Sequence, residues 1–169
     1  MKKALIVIDM QKDFVDGSLA NPDAQAIVSP IAAYVSAYDG DVLATRDTHA
    51  QDYLHSAEGK KLPVPHCIRG TSGWEIVGEI ASALAEKHAR ILDKPTFGYL
   101  GWGMLGEYTE VELVGTCTDI CVVSNALVLK AMFPDLTVRV NAALCAGTTK
   151  ENHNAALQVM RCCQVEVVN

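Results

Sequence analysis

Cys121 lies in the run Val114-Gly115-Thr116-Cys117-Thr118-Asp119-Ile120-Cys121-Val122-Val123, where a short strand over Glu110 to Gly115 gives way to a predicted helix from Thr118 to Lys130. Thr118 is the expected N-cap, so Cys121 falls in the first turn, where unpaired backbone N–H groups and the helix dipole favour a thiolate. A thiolate there is a nucleophile. A buried structural thiol is the alternative reading of any single cysteine, so the assignment rests on what else the chain brings to it.

Two groups of complementary chemistry also end strands. Asp9 closes the apolar run Lys3 to Ile8, and Lys94 closes Arg90 to Lys94. A carboxylate near a cysteine can accept its proton and later return it to a leaving amine, while a lysine lowers the energy of the thiolate. A second set surrounds Arg46-Asp47-Thr48-His49, just past a strand over Asp41 to Thr45. Alternate residues of an extended segment share a face, which sets a carboxylate oxygen beside an imidazole nitrogen and suits a divalent metal such as zinc. A surface Asp–His pair is the other reading. The long loop from Ala50 to Pro65 runs into His66-Cys67; His66 would supply a third ligand, with Glu58 or His55 as a fourth.

Short apolar strands alternating with helices must hold these groups. Predicted helices cover Asn21 to Ala37, with Pro22 near its start, Glu75 to Lys87, and about Lys150 to Arg161; further strands cover Leu136 to Val140 and Gln164 to Val168, with a loop from Asn141 to Thr149. This alternation predicts a three-layer α/β/α fold around a central, mostly parallel sheet of about six strands. In such sheets ligands bind beyond the carboxyl ends of the strands, where the reactive groups stand. One domain over 1–169 is expected, given 169 residues of which 50% are hydrophobic.

Composition excludes several classes. A formal charge of −6 without clustered Lys or Arg argues against a nucleic-acid surface. No run approaches the roughly 18 apolar residues of a membrane span, and the apolar stretch after Met1 is too short for a signal peptide, so a cytoplasmic protein is expected. The six cysteines follow no disulfide spacing and read as reduced thiols; a Cys117–Cys121 redox pair is the competing idea.

The motifs Asp9-x-Gln11-x-Asp13-Phe14, Arg46-Asp47-x-His49, Pro65-His66-Cys67-Ile68-x-Gly70-Thr71-x-Gly73, the strand-end Lys94 and Gly115-x-x-Thr118-Asp119-x-Cys121-Val122 run in order over nearly the whole chain. In them the sequence resembles the isochorismatase-like cysteine hydrolase superfamily, in particular its nicotinamidase/pyrazinamidase branch. The resemblance implies Cys121 as nucleophile, Asp9 as general base and then acid, and Lys94 as electrostatic support. It also implies a cis peptide between Thr116 and Cys117 that aims the backbone N–H groups of Cys117 and Cys121 at one point, an oxyanion hole. It implies one divalent metal, zinc or alternatively manganese or iron, on Asp47, His49, Glu58 and His66, with His55 as the rival to Glu58, and Phe14 stacking on the substrate ring. Tyr99 is taken as a second substrate contact.

Two departures alter the expected pocket wall. Pro63 stands where many nicotinamidases carry a tryptophan, and Phe97-Gly98-Tyr99-Leu100-Gly101-Trp102 replaces a more polar run; these aromatics either line a pocket or fill core. The implied activity is hydrolysis of a small carboxamide, nicotinamide first, to acid and ammonia through a Cys121 thioester. Another small amide, a ureido compound or a vinyl ether is the alternative substrate, and a non-catalytic member of the fold is the third reading. By the same resemblance a homo-oligomer, dimer or tetramer, is expected, with a small-molecule amide as the partner and no membrane.

Overall fold

The computed structural model describes residues 2–169. Six parallel strands, β1 (Lys3–Ile8), β2 (Asp41–Asp47), β3 (Arg90–Lys94), β4 (Glu110–Thr116), β5 (Thr137–Ala146) and β6 (Glu166–Val168), form one sheet in the order β3-β2-β1-β4-β5-β6. The winding reverses between β1 and β4. That switch point opens a crevice beyond the strand ends, and Asp9 follows β1 while Cys117 to Cys121 follows β4.

The continuous apolar run of β1 has the reason anticipated. Ala4, Ile6 and Ile8 face a cluster with α6 (Val123–Met132) and α7 (Lys150–Cys162), whereas Leu5 and Val7 face α3 (Val28–Ala37) and α5 (Gly78–Glu86). Both faces are therefore covered, and each fully buried aliphatic side chain contributes about 1.5–3 kcal/mol. Asp9 is anchored on a strand with no exposed face.

Local chemistry moved several predicted boundaries. The helix predicted over Asn21 to Ala37 is two helices, α2 (Pro22–Ala26) and α3, broken at Ile27 (φ −93°, ψ −2°). Pro30 explains the break: inside one continuous helix it would clash with the carbonyl of Ala26 and lack the N–H that bonds to it, but in the first turn of α3 neither matters. Asn21 caps α2 by accepting the Asp23 N–H at 2.9 Å. The long loop contains the short α4 (Ala57–Lys61), capped by Ser56 accepting the Gly59 N–H at 2.9 Å. The predicted helix from Glu75 begins only at Gly78, because the Val77 N–H donates to the Met10 carbonyl and Ile76 bridges Gln11. A further short helix, α1 (Lys12–Val15), follows β1.

β5 continues through the segment predicted as loop after Val140. Asn141, a polar residue that reads as a strand end, is buried and donates to Glu112 Oε1 at 3.3 Å. The register shift between Leu113 and Gly115 then sets Asn141 to Leu144 opposite Val114 alone, and pairing resumes at Gly115 with Cys145. Gly115 (φ +120°) is required there, since an added Cβ would stand 2.1 Å from the Ile8 carbonyl oxygen. Close approach of β4 to β1 brings the nucleophile turn beside Asp9.

Candidate active site

Thr118 does not cap the helix as predicted. Cys117 holds the N-cap position without a side-chain capping bond, Thr118 Oγ1 pairs with His153 Nδ1 at 2.8 Å, and Thr118–Val122 forms a π-helical turn before α6. Cys121 is thus in a wide turn, a local form common at functional sites. The Thr116–Cys117 peptide is cis.

The structure brings together the three residues expected to do the chemistry. Lys94 Nζ lies 2.6 Å from Asp9 Oδ2 and 3.4 Å from Cys121 Sγ. Thr45 Oγ1 donates to Asp9 Oδ1 at 2.7 Å, which fixes the carboxylate plane, and Asp9 itself sits at φ +48°, a region tolerated by aspartate. Asp9, Thr45 and Lys94 are each 0% exposed. Burial pushes the Asp9 carboxyl up against the opposing pull of Lys94. Burial pulls Lys94 down, but the charge and hydrogen bond of Asp9, with the charge of Asp47, outweigh it, so the ammonium stays charged far above the usual lysine range.

Cys121 differs from the sequence expectation of a thiolate stabilised by a helix end. Burial, then the negative charge of Asp9, pushes its thiol well above the ordinary value, and Lys94 offsets only part of this. The resting group is a thiol beside a base. Cys117, half-buried next to it, is also pushed up, to about 11, by burial, and both sulfurs are free.

A second cluster adjoins the first through Asp47. One ligand atom from each of Asp47, His49, Glu58 and His66 lies within 4.8 Å of the others. His49 Nε2 is 2.9 Å from Asp47 Oδ2, and His66 Nε2 is 3.6 Å from both Asp47 Oδ2 and Glu58 Oε1. The other oxygen of Asp47 faces Lys94 Nζ at 3.5 Å. Burial raises Asp47, but the His49 and His66 contacts and the Lys94 charge reverse this and hold it well below the carboxylate range. The cap of α4 delivers Glu58 to this cluster, whereas His55 is exposed in the preceding turn and lies outside it.

This donor set fits a divalent metal. The buried His49 Nε2 has no aligned hydrogen-bond partner, and His66 Nδ1 pairs with the Val64 carbonyl at 2.8 Å, which leaves its Nε2 facing the centre. Two imidazoles and two carboxylates accept zinc, manganese or iron. Tyr53 packs its ring 4.7 Å from His49 and 5.0 Å from His66, and its hydroxyl donates to the Leu62 carbonyl at 2.9 Å. The metal-side loop is tied down from below.

A cavity of about 740 Å³ opens in front of both clusters, bordered by Cys117, Cys121, Phe14, Glu58, His66 and Phe97 among others. Phe14 stands with its ring 5.5 Å from that of His66. Tyr99 is not among the lining residues: it packs edge-on against the fully buried Trp102 at 5.0 Å, and the exposed Phe97 takes the wall position instead. Tyr99 and Trp102 belong to the packing of the segment.

Two side chains that positioning depends on were not assigned a role from the sequence. Gln11 is buried; its Nε2 donates to the carbonyls of Asp47 and Trp74, both at 2.8 Å, and its Oε1 accepts the Asp47 N–H at 2.7 Å. It fixes the strand end that carries Asp47. Asn125 accepts from the Tyr99 N–H and Trp102 Nε1 through Oδ1 and donates to the Phe97 and Cys121 carbonyls through Nδ2. It locks the aromatic segment to the nucleophile turn. The available signal was an asparagine four residues after Cys121, one turn on, in an otherwise apolar stripe.

The model of the isochorismatase domain family matches residues 3–169. The chain belongs to that family. Within the isochorismatase family it resembles the nicotinamidase/pyrazinamidase of Mycobacterium tuberculosis, at 31% identity over 184 residues covering 98% of each. The crystal structure of the pyrazinamidase/nicotinamidase from Streptococcus mutans UA159 matches with a TM-score of 0.83 at 32% identity, covering 99% of this chain and 100% of that one. The pyrazinamidase of Pyrococcus horikoshii, solved in complex with zinc, shares the fold with a TM-score of 0.82 at 24% identity, covering 100% of this chain and 99% of that one. These relatives place the isochorismatase-family chain in the nicotinamidase/pyrazinamidase-related branch.

Proposed function

We propose that this amide C–N hydrolase converts nicotinamide to nicotinate and ammonia through a thioester on Cys121. The observation that carries the reading is the contact of Lys94 Nζ with both Asp9 Oδ2 and Cys121 Sγ, the sulfur bordering a cavity that Phe14 and His66 also line. As Sγ attacks the amide carbon, Asp9 takes the thiol proton; burial raises its proton affinity above that of an ordinary carboxylate. The negative charge on the amide oxygen falls to the backbone N–H groups of Cys117 and Cys121. Collapse breaks the C–N bond, and Asp9 returns its proton to the nitrogen, releasing ammonia. Asp9 then takes a proton from water, the hydroxide displaces Sγ, and acid and thiol are restored. Lys94 remains charged throughout and holds carboxylate and sulfur in register.

Asp47, His49, Glu58 and His66 would hold one divalent ion, whose chemistry is a Lewis-acidic contact for the pyridine nitrogen. Phe14 covers a ring face. Ammonia release from nicotinamide, measured before and after chelation and after zinc is returned, tests the reading. The expected result is release that chelation suppresses and zinc restores. Absence of release from both nicotinamide and pyrazinamide by metal-loaded protein contradicts it.

A further inference from the structure

The reaction centre is closed on one side and open on the other. Asp9, which gives the departing nitrogen its proton in the mechanism above, is wholly buried together with Thr45 and Lys94, and none of these borders the cavity. A nitrogen carrying anything larger than hydrogen has no room in that corner. The open volume therefore lies on the acyl side. At roughly 30 Å³ per water-sized unit the cavity holds about 25 such units, against the roughly nine heavy atoms of a pyridine carboxamide. Its lining is mostly apolar, with Leu19, Ala20, Pro22, Leu62, Phe97 and Ile120, and the uncharged Asn21, Thr96 and Thr148 between them. Lys61 is the one cation there besides the ligand-set residue His66, and Glu58 is the one carboxylate, so the lining offers no cluster for a phosphate.

On the amidase reading, we infer that the preferred substrate is a primary carboxamide whose acyl group extends beyond a single heteroaromatic ring with an uncharged, apolar substituent. The substituent occupies the wall from Leu19 to Pro22 and Phe97, and the amide nitrogen stays unsubstituted.

Three amides separate this from the simpler reading: nicotinamide, 5-phenylnicotinamide and N-benzylnicotinamide, assayed on the metal-loaded protein by product formation. The expected kcat/KM for 5-phenylnicotinamide exceeds that for nicotinamide, and N-benzylnicotinamide falls roughly 100-fold or more below both. Ala20→Phe, which narrows the outer wall, should move the 5-phenylnicotinamide to nicotinamide ratio roughly tenfold toward nicotinamide. Hydrolysis of nicotinamide with a kcat/KM for the 5-phenyl compound no higher than that for nicotinamide overturns the inference alone and leaves the amidase reading standing. Preference for the N-benzyl compound overturns the closed-corner argument. Silence toward all three removes the amidase reading and this inference with it.

Discussion

Two of the carboxylates that the sheet buries, Asp9 past the end of β1 and Glu112 midway along β4, differ in what faces them. Glu112 accepts from the Tyr34 hydroxyl at 3.0 and 3.1 Å and from Asn141 Nδ2 at 3.3 Å, all uncharged donors. Asp9 faces an ammonium at 2.6 Å that also touches a sulfur bordering a large cavity. Burial alone thus does not make a reactive carboxylate. An ammonium partner, shared with a sulfur that borders the cavity, distinguishes Asp9 from Glu112.

The largest expected effect from that contrast is at Asp9. Asp9→Asn removes the base and leaves Lys94 buried without its partner, so kcat should fall roughly 10³-fold and stability by about 3 kcal/mol. Steady-state kinetics and denaturant unfolding read both. Retained activity with lowered stability would reduce Asp9 to the same class as Glu112. Gln11→Ala comes next: it frees the strand end carrying Asp47, so metal affinity should fall roughly 10- to 100-fold by titration, while reactivity of Cys121 toward a thiol probe persists.

Glu112→Gln sharpens the contrast from the other side. It keeps the shape but weakens the bonds from Tyr34 and Asn141, so stability should fall by about 1–3 kcal/mol with kcat unchanged; a large loss of kcat would mean the two ends of the sheet are coupled. The smallest effect is alkaline. Burial, then the Glu112 bond and charge, pushes the Tyr34 phenol up to about 12. A phenol whose folded pKa is raised stabilises fully below its unfolded value of about 10 and loses that contribution as pH climbs through 12. The slope of stability between pH 10 and 12 should therefore be shallower in Glu112→Gln than in the parent protein.

Much of this arrangement was legible in the sequence because strand ends are strong signals in a parallel sheet. Asp9 terminates an apolar run, Lys94 ends a predicted strand and Asp47 stands just past another, and alternation put Asp47 and His49 on one face. The six-stranded, doubly covered sheet followed from the same runs. What periodicity could not convey was decided by single contacts. Pro30 split one helix into two, and the bond between Asn141 and Glu112 extended β5 through a segment that reads as loop. The protonation of Cys121 depends on the burial and charge of Asp9, which a local helix-end argument does not contain. Phe97 rather than Tyr99 borders the cavity in a segment that Asn125, a residue distant in sequence from both, holds in place.

In the proposed mechanism Cys121 carries the acyl group, and ammonia release from nicotinamide by the parent protein and by Cys121→Ala, both metal-loaded and both shown folded by circular dichroism, decides whether it does. A loss of roughly 10⁴-fold or more is expected in the variant. Turnover by Cys121→Ala within a few-fold of the parent would contradict it.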